Sequence, residues 1–281
     1  MILNLDKNFK PISGLEIQYE SFTFSGGEPH IKIKNFNNSE AVIVTHRVNS
    51  FNDLGLLSIT IDALQRMGVT EIELVLPYFP GARQDRVMTS GESLSVKVYA
   101  DLINGYNLKS IKIYDPHSEV TPALLNNCIV INNHDFIAHL IEQLPKDILL
   151  VSPDAGALKK IHKLASHLKD YQVLECGKSR DVATGALSGF TVPVKDLEGR
   201  DCLIIDDICD GGGTFLGLAQ ELKKCNAGKL YLAVSHGIFS KGFEELGKQF
   251  KEIYTTDSFR TIENIEFLKQ IKLESEHISL K

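Results

Sequence analysis

Two adjacent carboxylates, followed closely by three glycines and a threonine, form the stretch of this chain best suited to chemistry. Residues 203–214 read Leu-Ile-Ile-Asp-Asp-Ile-Cys-Asp-Gly-Gly-Gly-Thr. Successive glycines let backbone N–H groups approach a phosphate without Cβ interference, and a helix starting behind them adds unpaired donors and a partial positive charge. Asp210, Gly211, Gly212, Gly213 and Thr214 therefore read as an anion cradle. Asp206 and Asp207 would repel a phosphate unless they meet sugar hydroxyls or a divalent cation, and a ribose phosphate brings both. A plain glycine-rich surface turn has no need of paired acids at a strand's end, where open α/β sheets bind ligands.

The elements that must hold this loop are visible as periodicity. Strand-like runs at 41–45, 72–76, 110–114, 148–151, 172–174, 202–206 and 229–234 alternate with helix-like stretches at 53–67, 93–104, 156–168 and 214–224. Phe215, Leu218, Ala219 and Leu222 mark one face of the helix behind the glycines. Such alternation predicts an α/β protein with parallel sheets covered by helices. Residues 61–79 and 221–239 share a pattern: a helix ends, turns at a glycine and enters a strand that leaves into an aromatic loop. Gly68 and Gly228 take equivalent helix ends in this pattern, where a left-handed residue is expected. The repeat predicts two related halves meeting near residues 138–147.

The chain's 281 residues suffice for two α/β domains, and 43% hydrophobic content is that of a globular core. A formal charge of −6, without a block of lysines or arginines, argues against nucleic-acid binding. Cys128, Cys176, Cys202, Cys209 and Cys225 are odd in number and hold no C-x-x-C pair, so neither a zinc site nor a disulfide framework is indicated. A reducing cytoplasm suits them. No basic-then-apolar leader and no bilayer-length apolar run is present, which predicts a soluble, unexported protein without membrane association.

A second segment follows the strand at 72–76: Pro-Tyr-Phe-Pro-Gly-Ala-Arg-Gln-Asp-Arg, residues 77–86. Its polar side chains emerge at the ligand-binding end of a sheet. Aromatics beside Arg83 and Gln84 suit a nucleotide base and its phosphates.

Taken together, these segments resemble the ribose-phosphate pyrophosphokinases, the PRPP synthetases, and they do so in order across roughly residues 20–240. The 206–214 loop resembles the family's ribose-5-phosphate loop, and 77–86 its ATP-binding segment. Phe24-Ser-Gly-Gly-Glu28 resembles the family's Phe-Ser-Asp-Gly-Glu turn, which reaches the adenine of a neighbouring subunit's ATP. Asp115-Pro-His117-Ser resembles Asp-Leu-His-Ala, whose histidine helps hold magnesium-ATP, and 152–156 resembles Ser-Pro-Asp-x-Gly, whose acid serves ribose and metal. Gly177-Lys178-Ser-Arg180 falls where the family has a mobile Lys-x-Arg loop.

The resemblance implies two type I phosphoribosyltransferase-like domains, each a mainly parallel sheet flanked by helices. These are expected over 1–140 and 141–260, with 261–281 packing back on the first. It implies transfer of the β,γ-diphosphate of ATP to the anomeric hydroxyl of ribose 5-phosphate, with Mg2+ as cofactor and AMP leaving. Lys178 and Arg180 would be catalytic, closing on the β-phosphate. Phe24, Glu28, Arg83, Gln84 and His117 would bind ATP, and His117 and Asp154 would be metal ligands. Asp154, Asp206, Asp207 and Asp210 through Thr214 would hold the ribose phosphate. A homo-oligomer, dimer or hexamer, is also implied.

Three departures matter. The family's loop commonly reads Asp-Thr-Ala-Gly-Thr, whereas 210–214 is Asp-Gly-Gly-Gly-Thr, a roomier cradle that suggests a larger acceptor such as ADP-ribose. Gly26 replaces the turn's aspartate, and 87–92 lacks the cations that serve phosphate and regulatory sites in many members. The rival readings are a phosphoribosyltransferase, against which the Ala-Arg-Gln-Asp segment and Lys178 with Arg180 argue, and a regulatory homologue without activity.

Overall fold

The strand carrying the paired acids lies inside a six-stranded sheet, in one of the two units into which the chain divides. The computed structural model describes residues 1–34, 36, 41–154, 156–169, 171–180 and 187–274, excepting the side chains of 179, 180, 187 and 188. One unit comprises Met1–Asn132, Ser258–Thr261 and the described part of Lys272–Lys281, and the other Asn133–Asp257 and Ile262–Ile271.

The first unit runs β1 (Ile2–Asn4), β2 (Gln18–Thr23), β3 (Pro29–Lys34), β4 (Ala41–Thr45), α1 (Phe51–Arg66), β5 (Glu71–Val75), α2 (Ser95–Asn104), β6 (Ser110–Tyr114), α3 (Val120–Leu124) and β7 (Cys128–Ile131). Five strands form a parallel sheet in the order β1-β4-β5-β6-β7. Helix α1 begins at 51 rather than the expected 53 because Ser50 caps it. Ser50 Oγ accepts from Asp53 N at 3.2 Å, while the Asp53 carboxylate accepts from Asn49 N at 3.0 Å. Leu54, Leu57, Ile61 and Leu64 then bury one face at helical spacing. An antiparallel hairpin, β2 with β3, packs on this unit through Ile31 of β3 and does not show in the alternation. Gly55 of α1 lets Pro29 at the base of β3 come close, since a Cβ there would stand 3.3 Å from Pro29 Cγ.

The second unit runs α4 (His134–Ile141), β8 (Leu149–Ser152), α5 (Leu158–Leu168), β9 (Val173–Glu175), β10 (Gly177–Arg180), β11 (Leu187–Thr191), β12 (Cys202–Cys209), α6 (Gly213–Lys224), β13 (Leu230–Gly237), α7 (Glu244–Gln249), β14 (Glu252–Thr256) and β15 (Leu268–Ile271). Its main sheet is parallel, ordered β15-β14-β13-β12-β8-β9, with β10 and β11 forming a separate antiparallel pair. Strand order reverses between β8 and β12, which makes that boundary the topological switch point where such sheets bind ligands.

Two expectations are corrected here. The acid-bearing strand does not stop at 206. Ladder pairs Ile208↔His236 and Cys209↔Gly237 carry β12 on to Cys209, so both acids belong to the strand. The left-handed turn after α6 is made by Asn226, with φ 57°, and not by Gly228, whereas Gly68 does take φ 85° after α1. Gly228 is required for space: a Cβ would lie 2.3 Å from Gly199 O and 2.5 Å from Asp201 Oδ1. Gly228→Ala is expected to cost about 1–3 kcal/mol by overpacking against backbone, readable as a lower midpoint in urea unfolding.

Candidate functional site

In the second unit the site is built where β12 outruns its neighbour. β8 pairs with β12 only as far as Ile204, leaving Asp206 and Asp207 beyond the paired region on that side. Asp207 is 6% exposed, and its backbone N–H donates to Asp206 Oδ1 at 2.9 Å. Burial, and then the adjacent Asp207 charge, push the Asp206 carboxyl well above its ordinary range. The pair therefore resists double ionisation without a cation. Lys160, reaching from α5, places Nζ 3.6 Å from Asp207 Oδ2.

The glycine loop follows directly. Gly212 is the N-cap of α6 with φ 76°, and no side chain caps the helix. Its first-turn N–H groups, those of Gly213, Thr214 and Phe215, thus have no intrahelical acceptor and are available to an anion. A Cβ on Gly213 would meet nothing within 4 Å, so this side of the loop is open. Cys209, between the acids and the loop, is no nucleophile: burial pushes its thiol up to about 12.

Lys178 joins two of these parts. Its Nζ donates to Thr214 Oγ1 at 2.9 Å and lies 3.5 Å from Asp154 Oδ2, with its side chain 13% exposed. Asp154 is fixed by its own turn, where Oδ1 accepts from Gly156 N at 2.9 Å and from Ala157 N at 3.3 Å. Lys178 lies in β10, a strand, where a Lys-x-Arg loop was expected. The β10–β11 hairpin is seated by a contact that sequence reasoning missed. Phe190, which pairs with Lys178 across the hairpin, packs on Gly217 of α6, where a Cβ would come within 2.3 Å of the ring. A glycine inside an amphipathic helix was its only signal. The backbone of Arg180 belongs to β10, while its side chain, like the whole of Ala155, lies outside the described residues.

In the first unit, β5 leads into the 77–86 segment. Phe79 and Ala82 are 2% exposed and anchor it, while Arg83 and Gln84 are exposed. The turn is closed by Gln84 N donating to Gly81 O at 2.9 Å. The next strand, β6, is followed by Asp115 at φ 37°, which leads to the exposed His117. Asp85 links the two loops. Burial alone would raise its carboxyl, but the Ser118 hydroxyl, Arg86 and the nearby His117 together hold it below the ordinary value. Asp85 was not among the expected site residues. Phe24 and Glu28 occupy the tip of the β2–β3 hairpin. Phe24 packs edge-on against Phe22 at 4.8 Å, and no described hydrogen bond or ion pair joins the Glu28 side chain to Arg83, Gln84 or His117. Gly26 gives Glu28 room to fold over the turn, since a Cβ there would lie 2.5 Å from Glu28 Oε2.

Among the described residues no group of three or more His, Cys, Asp or Glu side chains forms a metal cage. The donors nonetheless fit magnesium, which uses one or two carboxylates and takes its remaining ligands from substrate phosphates and water. A cavity of about 430 Å³, lined by Leu149, Val173, Leu197 and Arg200 among others, lies at the N-terminal ends of β8 and β9 and holds none of the candidate residues. No described helix is long and apolar enough to cross a membrane.

A parallel α/β sheet with paired acids and a glycine loop at its switch point is the architecture of a type I phosphoribosyltransferase-fold protein. The N-terminal domain of ribose phosphate pyrophosphokinase matches residues 13–106, and the phosphoribosyl transferase domain matches 125–276. The ribose-phosphate pyrophosphokinase of Vibrio cholerae is 31% identical over 224 residues, covering 77% of this chain and 70% of the relative. That of Thermococcus kodakarensis is 29% identical over 252 residues, covering 87% of each. The crystal structure of phosphoribosylpyrophosphate synthetase from Mycobacterium smegmatis matches in fold, with TM-score 0.82 at 22% identity over 97% of this chain and 94% of that one. This chain belongs to the ribose-phosphate pyrophosphokinase family.

Proposed function

We propose that this protein transfers the β,γ-diphosphate of ATP to the anomeric hydroxyl of a ribose 5-phosphate unit. The anomeric oxygen bonds to the β-phosphorus, the bond from that phosphorus to the α-phosphate's bridging oxygen breaks, AMP leaves, and the hydroxyl proton passes to solvent. The observation that carries this reading is Lys178 held between Thr214 of the phosphate loop and Asp154. A cation so placed meets the charge that spreads over a transferred phosphoryl group.

In this reading Arg180 acts beside Lys178, and Asp206 and Asp207 orient the ribose hydroxyls. Asp210 through Thr214 hold the acceptor's phosphate. Arg83 and Gln84 bind ATP, and His117 helps to hold Mg-ATP. Asp154 offers a carboxylate oxygen to the ribose and metal. Magnesium would neutralise the triphosphate. Phe24 and Glu28, at the hairpin tip, serve ATP bound by a second copy in a homo-oligomer, and the protein works in the cytoplasm.

A second reading concerns the acceptor. Three glycines give the loop no side chain of its own between Asp210 and Thr214, and the space at Gly213 is open. A phosphate carrying a further substituent, as in ADP-ribose, suits such a loop. AMP release from Mg-ATP, with ribose 5-phosphate and ADP-ribose offered separately, decides between them. Turnover with ribose 5-phosphate is the result expected of the family's activity. Selective turnover with ADP-ribose makes the product ADP-ribose pyrophosphate, and turnover with neither overturns both readings.

A further inference from the structure

The glycine loop is crossed by a side chain that comes from outside it. After β13 the chain turns back along the loop: Ile238 N and Phe239 N both donate to Cys209 O, at 2.9 and 3.0 Å, and Ser240 N donates to Asp210 O at 3.1 Å. One residue further on, Lys241 runs its stem past Gly211. A Cβ added to Gly211 would meet Lys241 Cδ and Cε at 3.4 Å. The stem therefore passes beside the loop about one methyl group away from the bare backbone at Gly211. Lys241 is exposed, and its ammonium makes no hydrogen bond or ion pair with any described residue.

The two ends of the loop are thus treated differently. At Thr214 stands Lys178, already engaged with a hydroxyl and a carboxylate. At Gly211 stands Lys241, unengaged. A phosphate dianion in the loop brings more charge than a helix N-terminus, worth about half an elementary charge, can balance. The acids at 206 and 207 add to the deficit.

We propose that Lys241 is a specificity residue for the acceptor, its ammonium pairing with a phosphate oxygen of the group held by the 210–214 loop. This rests on the reading of that loop as the acceptor's phosphate site. Lys241 then supplies, from the return of the chain after β13, a charge that the glycine loop has no side chain of its own to provide. A lysine suits the task as a hydrated point charge on a flexible stem, placed near the anion without a fixed geometry.

The test compares wild type with Lys241→Gln, which keeps most of the stem and removes the charge, and Lys241→Arg, which keeps the charge. With Lys241→Gln the acceptor KM is expected to rise about tenfold or more, the effect of one charge-assisted hydrogen bond. The kcat and the KM for Mg-ATP should stay within about twofold, and Lys241→Arg should recover most of the loss, a split that a merely structural role would not give. Ribose 5-phosphate and ADP-ribose form separate arms. A rise with ribose 5-phosphate assigns the contact to the ribose's own phosphate, and a rise confined to ADP-ribose assigns it to the second phosphate. An unchanged KM for both overturns the proposal. If wild type turns over neither acceptor, the functional reading has failed, and calorimetric titration with ribose 5-phosphate decides the role of Lys241 independently. Weaker binding by Lys241→Gln supports it, and equal or absent binding by wild type and variant overturns it.

Discussion

Lys178→Ala is expected to lower turnover by about two to three orders of magnitude, the scale seen when a preorganised charge-stabilising donor is removed. The fold should survive. Lys178 is a β10 residue whose polar contacts are Thr214 Oγ1 and Asp154 Oδ2, and the Asp154 side chain is 30% exposed, so water can replace the ammonium there. The hairpin itself is held by its ladder and by Phe190 on Gly217, neither of which involves the lysine's side chain. Circular dichroism and the thermal midpoint should therefore stay near wild type while AMP release from Mg-ATP collapses. The KM values should move less than kcat, because the ammonium is needed most when charge shifts on the transferred group. Turnover close to wild type would remove Lys178 from the mechanism, and with it the observation on which the proposed function rests.

The 206–214 loop was legible because its parts are adjacent in the chain. An apolar run, two acids, three glycines and a helical stripe at Phe215, Leu218, Ala219 and Leu222 occur within twenty residues, and each obeys a local rule. What escaped was whatever depends on distant pairing. The extension of β12 to Cys209 exists because β13 offers partners at His236 and Gly237, which no local pattern announces. Strand β2 is almost wholly exposed and so lacks the alternation that betrays a half-buried strand. Lys160 reaches Asp207 from a helix that begins after the Asp154 turn, and its neighbour Lys159 has the same residue type. Gly228 illustrates the same limit from another side. The left-handed turn expected of it belongs to Asn226, and glycine is required there because of the backbone of Gly199, nearly thirty residues upstream.

Asp207→Asn is the second large effect expected, again about two to three orders of magnitude in turnover. Of the two acids it is Asp207 that has a cation beside it. The Asp206 carboxyl is pushed upward by its burial and by Asp207, while Asp207 has Lys160 Nζ at 3.6 Å. Asparagine preserves the shape of the side chain and can still accept a hydrogen bond from a ribose hydroxyl. It cannot balance Lys160, and it cannot attract metal-bound water. The substitution also removes one cause of the upward shift at Asp206, whose carboxyl should then ionise at lower pH. Ionisation of Asp206 is thereby eased, so the substitution does not simply delete the site's charge. If charge alone mattered, Asp206 would compensate and turnover would hold. If the position of the charge matters, as orienting a ribose for in-line attack requires, the compensation fails. Steady-state AMP release with the acceptor titrated, beside a melting curve, separates the cases. Loss of kcat in a protein of unchanged melting temperature assigns Asp207 to orientation of the acceptor, and turnover within a few-fold of wild type would pass that role to Asp206.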